Sequence, residues 1–121
     1  MTYIENWDEL SRKARDVHRA LESLKEEIEA IDWYHQRVDV AEDDELRAVL
    51  AHNRDEEIEH AAMVLEWLRR NMGGWDHELR EYVFTTKPIA ETEAETHEYR
   101  CSIHERFSYP RIWRRSGSRG A

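Results

Sequence analysis

Glu57 and His60 stand three residues apart in the strongly helical run Arg54-Asp55-Glu56-Glu57-Ile58-Glu59-His60. On an α-helix that step puts a carboxylate and an imidazole on one face about a turn apart, close enough to reach one metal ion. Apolar side chains recur at Leu46, Leu50, Val64 and Trp67, and the same rhythm carried through the gap lands on Asn53, Glu57 and His60. Polar groups therefore interrupt a stripe whose period turns it toward a core. Burial of both groups is costly unless each is paired, protonated or bound to a metal. Two readings share this pattern: a carboxylate–imidazole pair satisfied within a helix bundle or left in solvent, and a pair of metal ligands.

A third candidate ligand lies upstream, where Glu26, Glu27 and Glu29 crowd a single helical turn. Glu27 follows Leu24 by three residues and precedes Ile31 by four, which sets it at the margin of a buried seam. Glu26 and Glu29 read equally as a solvated acidic face. A di-iron carboxylate bundle takes a Glu from each of two helices and a Glu-x-x-His from each of two others. One chain supplies half of that set, as Glu27 with Glu57 and His60. Two chains about a two-fold axis would supply all of it, because such an interface presents the same patch twice. Oxygen-rich ligation of this kind suits iron or manganese better than structural zinc. Two metals so held can deliver two electrons to dioxygen, and ferrous oxidation is the chemistry this points to.

The elements that must carry these residues are helices. Asn6 with Glu9 three residues on has the form of a capping box, so the first helix is expected to start there. Its apolar positions, Leu10, Ala14, Val17, Leu21, Leu24, Ile28 and Ile31, alternate by four and three like a coiled-coil seam, which predicts a small crossing angle. It should run to about Val38, some 30 residues and roughly 45 Å. Asp39 to Asp44 reads as a short loop, with Asp43 or Asp44 as the cap of a second, antiparallel helix from Glu45 to Met72, stopped by Gly73-Gly74. That helix carries a further apolar line, Ile58, Ala61, Leu65, Leu68 and Met72, so it needs more than one packing partner. A shorter third helix is expected from Trp75 or Asp76 to Phe84, ended before Pro88. The fold class is thus all-α: two long antiparallel helices plus a short third, half of a four-helix bundle completed by dimerisation. Residues 1–90 make the helical domain, and 91–121 read as a flexible tail, acidic and then basic.

With 121 residues, 37% of them charged, four Gly and two Pro, the composition favours one domain of long helices. A mean hydropathy of -0.94 beside five Trp and five Tyr suggests apolar faces completed by a partner subunit. The net charge of -9 argues against nucleic acid and suits a surface that attracts cations. Residues 1–84 carry 22 acidic against 11 basic side chains, whereas 85–121 carry 5 against 7, so the acidic excess belongs to the part that holds Glu57 and His60. A lone cysteine, Cys101, forms no internal disulfide, and no apolar run approaches a bilayer span, so a cytoplasmic protein without a membrane partner is expected.

The runs Glu26-Glu27-Ile28-Glu29-Ala30-Ile31-Asp32-Trp33-Tyr34, with Gln36-Arg37 following, and Ala51-His52-Asn53-Arg54-Asp55-Glu56-Glu57-Ile58-Glu59-His60-Ala61-Ala62-Met63, with Leu65-Glu66-Trp67-Leu68-Arg69-Arg70 after it, closely resemble the encapsulated ferritins. Tyr82-Val83-Phe84-Thr85 with Pro88-Ile89 is also similar to that family, and the likeness covers roughly residues 17–90. The resemblance implies a two-helix ferritin-like subunit that dimerises to build a di-iron ferroxidase centre, with two irons per dimer. It implies ring-shaped decamers carried as cargo inside encapsulin shells, with Fe(II) and dioxygen as substrates. Such proteins oxidise iron for storage and detoxification and leave the mineral to the shell. Matched to this chain, the centre corresponds to Glu27, Glu57 and His60, in which Glu57 would bridge the irons while Glu27 and His60 ligate from each subunit. Trp33 and Tyr34 lie beside it, and Glu26 and Glu29 match acidic residues where iron enters. The family's cargo proteins commonly end in a Gly-, Ser- and Leu-containing targeting peptide, whereas this chain ends Arg114-Arg115-Ser116-Gly117-Ser118-Arg119-Gly120-Ala121. Two other functions fit the same residues: a non-catalytic dimerisation module whose buried polar network sets register, and an iron carrier that binds without oxidising.

Overall fold

The computed structural model describes residues 3–92. Three α-helices follow a single 3-10 turn at Trp7–Glu9: α1 is Arg12–Val40, α2 is Asp44–Asn71 and α3 is Trp75–Tyr82, and no strand occurs among the described residues. The chain parts into two compact units between Leu79 and Arg80. The architecture is all-α, two long packed helices with shorter ones, consistent with half of a ferritin-like bundle.

The long helix starts later than the capping-box reading of Asn6 expects. Asn6 Oδ1 accepts from the Asp8 amide at 3.1 Å and caps only the 3-10 turn. Arg15 then donates to the Trp7 carbonyl at 2.7 and 3.2 Å, and its guanidinium lies 4.2 Å from the centre of the Trp7 ring. With Trp7 docked back onto α1 in this way, Leu10 stays extended and the cap passes to Ser11, whose Oγ accepts from the Ala14 amide at 3.0 Å. At the other end α1 runs to Val40, two residues past the expected Val38.

Only Ala41, Glu42 and Asp43 separate α1 from α2, so the two helices pack antiparallel. Asp43 caps α2 by accepting from the Leu46 amide at 2.7 Å, and Arg47 reaches back to the Ala41 carbonyl, closing the corner. Lys13 near the start of α1 donates to Asn71 at the end of α2 at 3.0 Å, which holds the far end of the hairpin together. The register places the middle turns, around Glu27 and Glu57, opposite each other.

The seam on α1 differs from the expected coiled-coil line. Ala14, Val17, Ala20, Leu24, Glu27, Ile31 and Tyr34 are half-buried, whereas Leu21 and Ile28 are exposed, Ile28 by 56%. A single neighbouring helix covers one narrow strip, and the rest of an apolar face two helices wide is left open. On α2 the second apolar line splits the same way: Leu68 is fully buried, while Ile58 and Met72 are exposed.

Gly74, at a φ of 98°, takes the left-handed turn after α2, and Arg69 spans the corner by pairing with Glu66 at 2.7 Å and with Asp76 of α3 at 2.5 Å. The third helix ends at Tyr82, two residues short of the expected Phe84, because Phe84 itself has a φ of 60°, outside the helical region. Beyond Pro88, residues 89–92 form a helical turn in which Thr92 bonds back to the Pro88 carbonyl. The tail expected over 91–121 lies outside the described residues save for Glu91 and Thr92. No helix among the described residues is long and apolar enough to cross a membrane.

Candidate metal centre

Glu27 projects from the middle of α1, and Glu57 and His60 project one turn apart from the facing part of α2. One ligand atom from each of the three lies within 4.8 Å of the others, and this is the cluster of metal-binding type found among the described residues. His60 Nδ1 is 3.2 Å from Glu57 Oε2 and 3.8 Å from Glu27 Oε2. The carboxylates are three-quarters covered, with side-chain exposures of 26% for Glu27 and 24% for Glu57, while His60 is open at 46%. The group therefore sits at the rim of the helix pair and faces outward along its imidazole.

Electrostatics mark the two carboxylates as unequal. A hydrogen bond with Glu57, followed by desolvation, pushes the Glu27 carboxyl above its ordinary range. Bonds from Glu27 and then His60 hold Glu57 below it. The bond between His60 and Glu57 raises the His60 pKa, because an adjacent carboxylate favours imidazolium. Two carboxylates with one imidazole are a hard, oxygen-rich donor set suited to iron. The residues present fit such an ion.

The other expected site residues stand apart from the cluster. Glu26 and Glu29 are exposed, and Glu26 acts on the cluster only through its charge, which helps raise Glu27. Trp33 is 51% exposed and lines a shallow groove with Gln36 and Arg37. Tyr34 is half-buried with the Arg37 guanidinium 5.4 Å from its ring centre. Sequence reasoning passed over Arg54, a mostly covered cation one turn before Glu57, and His35, which it meets across the helix pair. The signal was present in the spacing, since Arg54 falls on the same helical face as Glu57.

Comparison with known proteins places these elements in a family. A family model described as EncFtn-like matches residues 2–86. A ferritin-like protein of Thermotoga maritima is 65% identical over 94 residues, covering 78% of this chain and 82% of that protein. An encapsulated ferritin-like protein of Rhodospirillum rubrum is 59% identical over 85 residues, 70% of this chain and 61% of its own length. A crystal structure of a Nitrosomonas europaea protein superimposes with a TM-score of 0.72 at 59% identity, over 74% of this chain and 99% of that one.

Proposed function

This chain belongs to the EncFtn-like family, and on that premise we propose that it is a ferroxidase that oxidises Fe(II) with dioxygen at a di-iron centre shared between two subunits. The observation that carries the reading is the convergence of Glu27, Glu57 and His60 from two helices, with their ligand atoms within 4.8 Å. Fe(II) is the substrate: each of two ions gives up one electron, and dioxygen takes both. Glu57, held anionic by its neighbours, is the carboxylate fitted to lie between two ions. Glu27 ligates as the carboxylate, and His60 ligates as the neutral imidazole.

A second subunit is integral to this reading. One chain offers three ligands at an outward rim, and the exposed Leu21, Ile28, Met63 and Trp67 give the apolar cover that another copy would complete. The same membership supports extending the proposal to assembly of such dimers into a ring and carriage inside an encapsulin shell for iron storage and detoxification. The encapsulated ferritin-like protein of R. rubrum is named for that setting. Glu26 and Glu29, exposed beside Glu27, are the acidic residues at which iron would enter. Trp33 and Tyr34 would border the centre in the assembled form.

The decisive experiment is the initial rate of aerobic Fe(II) oxidation by the protein, by Glu57→Ala and by a protein-free control. A fast parental rate that falls to background in Glu57→Ala is expected; equal rates in all three would reject the ferroxidase. A second reading is favoured by one observation, the 3.2 Å bond between His60 and Glu57, which satisfies both groups without a metal. In that case the cluster is a register-setting polar network, and Fe(II) would leave the assembly unchanged. Iron binding without oxygen consumption would identify a carrier instead.

A further inference from the structure

Resting on the metal centre proposed above, we infer that His35 is a positioning residue that keeps the Arg54 guanidinium away from the metal-binding carboxylates. Arg54 lies three residues before Glu57 on α2, and its side chain is as well covered as that of Glu57, both 24% exposed. Oppositely charged residues three apart do pair on these helices, as Asp16 does with Arg19, Asp44 with Arg47 and Glu66 with Arg69, each with the carboxylate first, whereas Arg54 precedes Glu57. Arg54 is turned elsewhere. Its Nη1 is 3.1 Å from Nδ1 of His35 on α1, and its Nε and Nη2 each lie 3.0 Å from Asp55 Oδ1.

A guanidinium only donates, so His35 accepts at Nδ1 and carries its own proton on Nε2. A neutral acceptor therefore anchors the cation without cancelling its charge. The Asp55 contact joins adjacent residues that do not share a helix face, and Asp55 is 64% exposed, so it is the weaker anchor. The His35 bond crosses to the other helix and fixes the direction of the side chain. Released from it, Arg54 comes within reach of the Glu57 carboxylate, where a forked ion pair would occupy the lone pairs and cancel the charge that a metal ion needs.

The test is Fe(II) affinity measured anaerobically by titration calorimetry, with thermal melts to establish that each variant folds. His35→Ala should weaken binding roughly two- to fivefold, the range of one partly exposed ion pair. Adding Arg54→Gln in that background should restore the parental affinity, and Arg54→Gln alone should bind at least as tightly as the parent. His35→Gln, whose amide oxygen can accept from Arg54, should keep the parental value. If Arg54→Gln alone weakens binding as His35→Ala does, the bond is a structural clamp and the proposal is overturned; an unaffected His35→Ala overturns it as well. A parent that binds no Fe(II) would remove the metal centre itself, an outcome distinct from a binding parent with an indifferent His35.

Discussion

Glu57 raises the Glu27 carboxyl and the His60 imidazole together, and that coupling governs how the cluster should respond to pH. Because Glu27 and His60 are both raised above their ordinary values by Glu57, protons compete with a metal ion at both. Fe(II) affinity should therefore climb as pH rises through the His60 pKa, which lies above 6.5, and then level off. Calorimetry in buffers of different ionisation enthalpy would count the protons released; a flat profile from pH 6 to 9 would contradict this. For the metal-free protein the sign is opposite: a raised His60 contributes stability that is complete below its unfolded pKa and is lost as pH rises through the folded one. In Glu57→Ala the principal cause of the Glu27 shift disappears, so the Glu27 pKa should fall toward the ordinary carboxylate range in an NMR titration.

At the scale of the element, the ends of the helices rest on particular side chains. Ser11 caps all of α1, whereas Asn6 caps one 3-10 turn. Ser11→Ala should cost about 1 kcal/mol in denaturant unfolding and Asn6→Ala clearly less; equal losses would show that the Trp7 turn and the long helix melt as one. The corner between α2 and α3 hangs on Arg69, and its pairing with Arg69 and then Arg70 pulls the Glu66 pKa down to about 2. A depressed carboxylate contributes stability above its unfolded value near 4.5 that is lost as pH falls through the folded one. Melting temperature should accordingly drop between pH 4.5 and 2, and Glu66→Gln should remove that part of the slope. Periodicity found the helices, the Asp43 cap and the Trp75 start but not the first residue of α1, because that terminus was decided by Arg15 seizing the Trp7 carbonyl, a contact between side chain and backbone that no period encodes.

For the molecule as a whole, the feature that dominates is how little of its apolar surface is covered. Leu68 is the fully buried hydrophobic residue among those described, while Leu21, Ile28, Ile58, Met63 and Trp67 remain exposed on the two long helices. A helix pair with so thin a core is marginal alone, and the proposed dimer would add the missing burial. Met63 lies between two shallow grooves, so Met63→Glu should leave a helical but monomeric protein with impaired Fe(II) oxidation, as read by sedimentation and circular dichroism. Because the proposed centre draws ligands from both subunits, Fe(II) should tighten the dimer. Identical dimerisation constants with and without iron would place the site within one chain.

From the sequence alone came the helical class, the two long elements, their antiparallel order and the choice of Glu27, Glu57 and His60, since each depends on spacing along one helix and on a loop too short to allow any other arrangement. The tertiary structure decided which strip of each helix is covered. An apolar face wider than one partner leaves the choice to the crossing of the pair, and that crossing turned Glu27 inward and Ile28 out. It set the electrostatic coupling of the cluster too, because Glu57 raises the Glu27 carboxyl only once α1 and α2 meet. The meeting of His35 with Arg54 has the same origin: two residues 19 positions apart in the chain become neighbours only through the register of the packed helices.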